Sequence, residues 1–257
     1  MRAERQRRIL ELIAQNGQVA VADICKLFDV SEMTARRDLA ELARDGLLRR
    51  VHGGAMNGLG RSYEPPYQLR ATDNKHSKEA IGRIAAELIC DGDSVAFDVG
   101  TTTLEIVRAL EGKRNLTIVT ASLPIANEVV AKFSLDSDVR LILTGGVVRS
   151  GELSMVGNYA SRMYSDLHVD KAFMGIGGIS LTDGLTEYNL EDASVKQALI
   201  RSANHIIVVA DSTKFERTTF ASVAPLSSAH TIITDTNAPH GMVERLVDMG
   251  IEVMIAE

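Results

Sequence analysis

The chain has 257 residues, 45% of them apolar, and a formal net charge of −6, which is long enough for one large globular domain and a small one. Aromatic residues make up only 4% and tryptophan is absent, which argues against recognition of nucleic acid by base stacking and leaves duplex DNA as the better nucleic-acid partner. The longest apolar runs suit buried strands and fall short of a membrane span, so we expect no membrane partner.

Cysteine and histidine usage gives no sign of a disulfide or a metal site. Cys25 and Cys90 are far apart, as expected of reduced thiols in an intracellular protein. The six histidines lack metal-ligand spacing, so we predict neither a metal nor a cofactor. The basic amino terminus is not followed by the apolar core of a signal peptide, and we therefore expect a cytoplasmic location.

Two short helices are predicted at the start of the chain. The first ends at Asn16-Gly17, and Val19 and Val21 bracket a short extended link to the second. Asp29-Val30 then turns the chain towards Ser31. The apolar residues at helical spacing are Ile9, Leu12 and Ile13 in the first helix and Ile24, Leu27 and Phe28 in the second.

A third helix and a small β-wing are predicted over residues 31–54. Ser31 suits the N-cap and Gly46 suits a left-handed C-terminal cap. Ala35, Leu39 and Leu42 form a narrow apolar stripe, and the arginines lie on the opposite face. Leu47 to Val51 can then form a strand, with His52-Gly53-Gly54 as a tight turn. Arginines opposite a buried face suit the major groove, although this helix alone would equally fit an ordinary surface helix.

Three helices and a wing within about 55 residues indicate a winged helix-turn-helix. The arginines of the first helix suit phosphate contacts that position the protein without reading sequence. The predicted DNA-binding residues are Arg5, Arg8, Ser31, Met33, Thr34, Arg36, Arg37, Arg44, Arg50 and His52.

The charge distribution separates this segment from the remainder of the chain. Residues 1–57 hold 10 Lys and Arg against 8 Asp and Glu, whereas the remainder holds 18 against 26. A mildly basic amino-terminal domain therefore precedes an acidic body, as suits a DNA-binding head on a larger domain.

A linker and an α/β domain are predicted after the head. Residues 58–74 lack periodicity and contain Pro65-Pro66, which is typical of a stiffened linker. From residue 75 to 257, continuous apolar strands alternate with helices, which predicts a mostly parallel sheet covered on both faces. The strands are predicted at 94–98, 116–120, 139–144, 171–180, 205–211, 230–235 and 251–256.

Several of these strands end in glycine, threonine, serine or aspartate, at the sheet edge where parallel α/β proteins bind ligands. The helix that starts after Gly100 would direct free amides at an anion, so the loop 98–103 is the candidate phosphate site, although the loop alone also fits a tight turn. Lys214 supplies a cation, and three acids could accept from sugar hydroxyls, although each alone could be a solvated loop residue or a cap. The candidate effector-binding residues are Asp98, Gly100, Thr101, Thr102, Thr103, Ser122, Gly145, Gly146, Gly177, Glu187, Asp211 and Lys214.

Other phosphate-binding motifs fit less well. The GTTT loop lacks the Gly-Lys-Ser/Thr ending of a P-loop, and no spaced GxGxxG precedes an acid at the distance of a dinucleotide site. DVGTTT is similar to the first phosphate loop of actin-like sugar kinases, but too little chain follows it for their second nucleotide lobe.

The ordered motifs VSEMTARRDLAELARDGLLRRVHGGA, FDVGTTT, LTGGVV and ADSTKF resemble the DeoR family of bacterial transcription regulators nearly from end to end. The resemblance implies a winged helix-turn-helix joined to a body resembling ribose-5-phosphate isomerase, and an effector that is a phosphorylated sugar or a related metabolite. Arg36, Arg37 and Asp38 match the family's Arg-Arg-Asp, residues 100–103 match its phosphate loop, and Asp211 and Lys214 match its late Asp…Lys. Ala35 replaces the usual isoleucine on the buried stripe, and we expect only a small change in packing.

We therefore expect a non-enzymatic regulator, most simply a repressor of carbohydrate-metabolism genes, that binds operator DNA as a homo-oligomer, a dimer or a tetramer. Whether the effector weakens or strengthens operator binding stays open. One alternative is a sugar-phosphate isomerase or deaminase fused to a DNA-binding head, with Glu187 or Asp98 as the base. Another is a winged helix that contacts protein beside an inert body.

Overall fold

A computed structural model describes residues 2–44, 47–56, 60–133 and 138–257. The chain divides into two compact units, Met1–Tyr63 and Glu64–Glu257. The first boundary predicted from the sequence lay at residue 57, with a linker over 58–74. The structure differs in assigning residues from Glu64 onward to the second unit and in forming a helix at Tyr67–Thr72. Residues 57–59 lie outside the described residues.

The first unit has the helices and the wing that the sequence predicts. Its three strands form an antiparallel sheet in the order β1-β3-β2, with Val19 opposite Ala55. Ile9, Ile24 and Leu39 are fully buried between the helices, so the apolar stripes meet in one small core. Leu27, from the second predicted stripe, is exposed. The elements are α1 (Arg2–Asn16), β1 (Gln18–Ala20), α2 (Val21–Phe28), α3 (Glu32–Arg44), β2 (Arg49–Val51) and β3 (Gly54–Met56).

Local hydrogen bonds set the limits of helix α3 and of its predecessor. The Ser31 hydroxyl accepts from the amide of Thr34 at 3.3 Å, which confirms the predicted N-cap. Asp29 adopts a left-handed conformation with φ of 49° and ends α2, so the chain turns within two residues. Gly46, the predicted C-terminal cap of α3, lies outside the described residues.

The second unit is built on a seven-stranded parallel sheet in the order β15-β14-β12-β9-β4-β5-β6. Its helices are α4 (Tyr67–Thr72), α5 (Lys75–Glu87), α6 (Thr101–Ala109), α7 (Leu123–Lys132), α8 (Asn158–Ser165), α9 (Leu190–Ser202) and α10 (His240–Asp248). Its strands are β4 (Ser94–Phe97), β5 (Thr117–Thr120), β6 (Arg140–Leu143), β7 (Val147–Arg149), β8 (Ser154–Val156), β9 (Val169–Met174), β10 (Gly178–Ser180), β11 (Gly184–Glu187), β12 (Ala203–Val209), β13 (Ala221–Ala224), β14 (Thr231–Asp235) and β15 (Glu252–Ala256).

Helices cover both faces of this sheet, as the continuous apolar strands predict. One core packs α5, α6 and α7 against the sheet, and a second core packs α8, α9 and α10 against the other face. Phe97 of β4 and Phe173 of β9 are paired in register and stack with their ring centroids 5.5 Å apart. Such a pair adds about 0.5–1.5 kcal/mol beyond its burial, at the centre of the sheet.

The antiparallel additions to this sheet were not predicted. The sequence 171–180 was expected to form one strand, but β9 ends at Met174 and β10 begins separately at Gly178. Strands β10, β11 and β13 form a small antiparallel sheet, and β7 and β8 form a hairpin. These strands have three or four residues each and lack the long apolar runs by which the parallel strands were recognised.

None of the described helices is long and apolar enough to cross a membrane.

Candidate DNA-binding surface and anion site

Helix α3 presents a basic face opposite its buried stripe. Ala35 and Leu39 are buried, whereas Met33 is 81% exposed and the Arg37 side chain 75% exposed. Two arginines, Arg36 and Arg37, therefore project from the helix that follows the turn of the helix-turn-helix. This is the arrangement in which a recognition helix enters the major groove.

Among the described residues, the ion pairs of both arginines are exposed and lie within their own helix. Arg36 donates to Glu32 at 2.9 Å, and Arg37 lies 3.5 Å from Glu41. Exposed pairs four residues apart contribute about 0.3–0.5 kcal/mol, so a DNA phosphate or a guanine edge can replace them at small cost.

Arg5, a predicted phosphate contact, instead pairs with a buried carboxylate inside the first unit. Its Nε donates to Asp38 Oδ2 at 2.6 Å, and Gln6 Nε2 donates to Glu41 at 3.0 Å. Asp38 is almost fully buried and therefore needs this cation. The pair fixes α1 on the recognition helix, which gives Arg5 a positioning role that the sequence prediction did not include.

The remaining predicted DNA-binding residues lie near the surface of the first unit. Arg8 on α1, Arg44 at the end of α3, Arg50 on β2 and His52 in the wing turn are exposed. Thr34 is half-buried and shares a hydrogen bond with the Ser31 hydroxyl at 3.0 Å, so this pair caps α3.

In the second unit, the amino terminus of helix α6 lies at the carboxyl end of β4. Its N-cap is Gly100, and no side chain of the described residues caps its first amides. The Thr103 hydroxyl turns back to donate to the Gly100 carbonyl at 3.0 Å. Thr101 and Thr102 complete the turn and are largely buried. Uncapped amides at a helix start favour an anion, so the predicted phosphate loop has the geometry for one.

One buried lysine shares a partner with this helix start, and a second lysine interacts electrostatically with the first. Lys78 on α5 is buried, and its Nζ donates to the Arg70 carbonyl, which also accepts from Thr101 Oγ1 at 3.5 Å. Burial lowers the pKa of Lys78 to about 8. Burial also lowers the pKa of Lys214, opposed by Asp211. Among the described residues, no carboxylate oxygen lies within 4.0 Å of either ammonium. Asp211 stabilises both charges electrostatically without a direct ion pair, and burial outweighs its effect.

Asp98 and Glu187 meet a third lysine that the sequence prediction missed. Lys196 on α9 donates to Asp98 Oδ2 and to the Gly175 carbonyl at 2.9 Å, and it lies 3.4 Å from Glu187. Although burial opposes its charge, the two carboxylates hold the pKa of Lys196 above its usual value. All three side chains are less than 10% exposed. This buried network fixes the ends of β4, β9 and β11.

Gly177 lies against the same network. A Cβ at this position would come within 2.8 Å of Glu187 Oε1 and 3.0 Å of Tyr188 Cε2, so only glycine permits the approach. Glu187 Oε1 accepts from the Tyr188 amide at 2.9 Å. The buried Tyr188 hydroxyl has no partner among the described residues, and Arg217 lies over the Tyr188 ring at 5.2 Å.

Two of the predicted effector-binding side chains serve as caps. Asp211 accepts from Thr213 and closes the 3-10 turn Ser212–Lys214. Burial opposes its ionisation, but Lys214, Thr213 and Lys78 together hold the pKa of Asp211 below its usual value. Ser122 accepts from the Ile125 amide at 3.3 Å and caps α7.

Gly145 and Gly146 lead from β6 into the β7–β8 hairpin, and Ser122 follows β5. These three residues therefore belong to the end of the sheet that β5 and β6 form. The residues that the structure brings together at the carboxyl ends of β4, β9 and β12 are Asp98, residues 100–103, Gly177, Glu187, Asp211 and Lys214, joined by the unpredicted Arg70, Lys78, Tyr188, Lys196 and Arg217.

The unpredicted lysines had a signal in the sequence. Lys78 precedes the buried Ile81 and Gly82 by three and four residues, and Lys196 follows the buried Ala193 by three. A lysine on the buried stripe of a helix must have a polar partner inside the protein, which marks it as a site candidate. No cluster of three His, Cys, Asp or Glu suited to a metal ion occurs within the part of the chain that the structure describes.

The comparisons with known proteins cover both units. The family model described as "DeoR-like helix-turn-helix domain" matches residues 5–57, and the one described as "DeoR C terminal sensor domain" matches residues 73–236. The chain belongs to the DeoR family. It is therefore a DNA-binding transcriptional regulator: its recognition helix lies within the first match, and the start of α6 with Lys78, Lys196 and Lys214 lies within the second.

Two curated relatives of the DeoR-family protein span almost its whole length. It is 30% identical over 254 residues to the HTH-type transcriptional regulator GolR of Listeria innocua, covering 99% of this chain and 98% of that protein. It is 33% identical over 250 residues to the glycerol-3-phosphate regulon repressor of Escherichia coli, covering 97% of each.

A solved structure of ribose 5-phosphate isomerase A from Methanocaldococcus jannaschii aligns with part of the DeoR-family chain. The TM-score is 0.40 at 17% sequence identity, and the alignment covers 56% of this chain and 55% of that one.

Proposed function

We propose that this DeoR-family regulator is a repressor of carbohydrate-metabolism genes and that a phosphorylated sugar bound at the start of α6 controls it. The observation that carries the proposal is the uncapped start of α6, whose Thr101 shares the Arg70 carbonyl with Lys78, at the same edge of the sheet as Lys214. A phosphate group would accept from the amides and neutralise two desolvated ammonium groups at once. A phosphorylated effector also agrees with the name of one relative, a glycerol-3-phosphate regulon repressor.

The remainder of the effector would lie beside the polar groups at the neighbouring strand ends. The Tyr188 hydroxyl, which has no partner within the described part of the chain, and the carboxylate of Asp211 can bond to sugar hydroxyls. Because the Asp211 carboxylate also caps its own turn, its position is fixed before the effector arrives. We therefore assign the phosphate of the effector to the α6 amides and its sugar hydroxyls to Tyr188 and Asp211.

We propose a sensor and not an isomerase or deaminase. A general base must be able to reach a substrate proton, but Asp98 is bound by Lys196, and Glu187 is engaged by Lys196 and by the Tyr188 amide. Steady turnover of ribose 5-phosphate or glucosamine 6-phosphate by the purified protein would contradict this assignment.

We further propose that the protein acts in the cytoplasm as a homo-oligomer, a dimer or a tetramer. One recognition helix reads one half-site, and two related by a two-fold axis read a palindrome with a far higher combined affinity. Analytical ultracentrifugation tests this directly, since a strictly monomeric protein on its operator would refute it.

A thermal-shift screen against phosphorylated sugars tests the effector. A sugar phosphate present at 100 times its Kd should add about 2.7 kcal/mol to stability. The unphosphorylated sugars should add nothing. Lys78→Met should abolish the shift, whereas Lys75→Met, on the same helix but exposed and paired with Glu79, should retain it. If no phosphorylated sugar changes either thermal stability or operator affinity, the proposed effector class is wrong.

A further inference from the structure

The segment that joins the DNA-binding unit to the sensor is tied to the anion site. We call residues 64–74 the connector. It begins immediately after Tyr63, the last residue of the first unit, contains α4, and ends at the start of α5. Asn74, its last residue, donates to Asp211 at 3.4 Å. The connector thus adjoins the first unit at one end and the anion site at the other.

The beginning of the connector is held by an ion cluster. Glu64 lies 3.2 Å from the Arg70 guanidinium and 3.0 Å from that of Arg149. Arg70 also pairs with Glu152, and Arg149 also pairs with Asp192. The Glu64 side chain is only 13% exposed, so its charge depends on these two arginines. Among the described residues, Glu64 is the carboxylate that both arginines share, and it anchors the connector where the chain enters the sensor.

The middle of the connector occupies the groups that an anion would use. The Arg70 carbonyl accepts from Lys78 Nζ and from Thr101 Oγ1, and Thr101 is the first residue of α6. A neutral carbonyl is a weaker partner for a buried ammonium than a doubly charged phosphate. A phosphate at the start of α6 would therefore take Lys78 and Thr101 from Arg70.

We propose that the connector is a latch that the bound anion opens. The anion replaces the Arg70 carbonyl on Lys78 and Thr101, the Arg70 side chain loses its fixed position between Glu64 and Glu152, and Glu64 is freed beside the last residue of the DNA-binding unit. Binding at the sensor thereby changes the freedom of the two heads of an oligomer to match an operator. This inference rests on the proposed anion site and adds the route by which it acts.

Hydrogen exchange measured by mass spectrometry on the full-length protein tests the latch, with inorganic phosphate as the probe. Phosphate should slow exchange at residues 101–104 and speed exchange of the connector amides at Leu69, Arg70 and Asp73, which are hydrogen-bonded within the connector. Slower exchange at 101–104 with an unchanged connector would overturn the latch and leave the anion site intact. No change in either segment would refute the anion site itself.

Glu64→Gln tests the latch without any ligand. Removing the charge that both arginines share should speed connector exchange by about tenfold. It should also change affinity for a duplex selected from a random library by about fivefold or more, in the same direction as phosphate does with the wild-type protein. Arg149→Lys should act likewise, because one ammonium cannot replace two separate guanidinium contacts.

Glu244→Gln is the matched control. Glu244 is an exposed glutamate on α10 that pairs with His240 at the surface, so connector exchange and DNA affinity should both stay at wild-type values. Faster connector exchange in Glu64→Gln with wild-type DNA affinity would refute the connector as the coupling element. Unchanged exchange in both Glu64→Gln and Arg149→Lys would show that the ion cluster does not hold it.

Discussion

Replacing Lys196 by methionine should be among the most destabilising single changes in the sensor. The ammonium donates to Asp98 and to the Gly175 carbonyl and lies 3.4 Å from Glu187. Its removal leaves two carboxylates buried without a cation, since Asp98 is 1% exposed and Glu187 is 6% exposed. Breaking a buried ion pair on one side costs about 3–5 kcal/mol, and we expect a loss of that size for Lys196→Met.

The sensor contains a second lysine for which we expect a smaller effect. Lys214→Met makes the same change at an ammonium that burial destabilises and that has no carboxylate oxygen within 4.0 Å among the described residues. The loss should be smaller than for Lys196→Met, because Asp211, the acid that Lys214 stabilises, keeps its hydrogen bonds from Thr213 and Asn74. For a unit of this size, 3–5 kcal/mol corresponds to a fall in Tm of about 6–20 °C for Lys196→Met alone.

Scanning calorimetry of the full-length protein can distinguish charge from packing at this site. Asp98→Asn removes one of the uncompensated carboxylates, so adding it to Lys196→Met should recover part of the stability, with a coupling energy of about 1–3 kcal/mol. Equal losses in Lys196→Met and Lys214→Met, or a loss below about 1 kcal/mol in Lys196→Met, would refute the electrostatic explanation.

Three further predictions concern the DNA-binding surface and the anion site. Removing Arg36 and Arg37 together should weaken operator binding. The slope of log affinity against log salt concentration, measured by fluorescence anisotropy at several KCl concentrations, should become shallower by about 0.9 for each DNA phosphate that the protein no longer neutralises. An unchanged slope and affinity would exclude both arginines from the interface. Phosphate binding should weaken as pH rises through about 8, because the neutral amine of Lys78 cannot pair with an anion. Calorimetric titration at pH 7 and 9 should show a larger loss of affinity for the wild type than for Lys78→Arg, whose guanidinium stays charged. Gly54→Ala should destabilise the wing by about 1–3 kcal/mol, because the alanine Cβ would lie 2.2 Å from the Val19 carbonyl oxygen. Operator binding should fall, whereas phosphate binding, followed by thermal shift, should stay normal. Normal operator binding would refute the clash.

The sequence was most informative where one periodicity determined the structure. The stripe of Ala35, Leu39 and Leu42 predicted the buried face of α3, and the continuous apolar runs predicted the parallel strands, because each follows from local spacing and burial. The small antiparallel strands escaped prediction since they pair through backbone groups without long apolar runs. Register and pairing of such strands depend on the tertiary fold.

Only some of the groups at the candidate anion site follow from the sequence. Reasoning from strand ends located Asp98, Glu187 and the start of α6, but it could not show that Lys196 neutralises both acids, because α9 is remote from β4 in the sequence. The pairing of Arg5 with Asp38 was not predicted, because an exposed first-turn arginine and one paired with a buried acid look alike in a sequence. Asp38, Lys78 and Lys196 share one recognisable property, a charge on the buried stripe of a helix, and each has its polar partners inside its own unit.

We propose that coupling between the anion site and the DNA-binding surface makes this protein a sensor. The direct measurement is the Kd of the full-length protein for a selected operator duplex, with and without each phosphorylated sugar that raises its Tm. We predict that at least one such sugar changes the operator Kd by about fivefold or more, and that the operator changes the affinity for that sugar by the same factor. A sugar phosphate that binds at the α6 site and leaves the operator Kd unchanged would contradict this coupling.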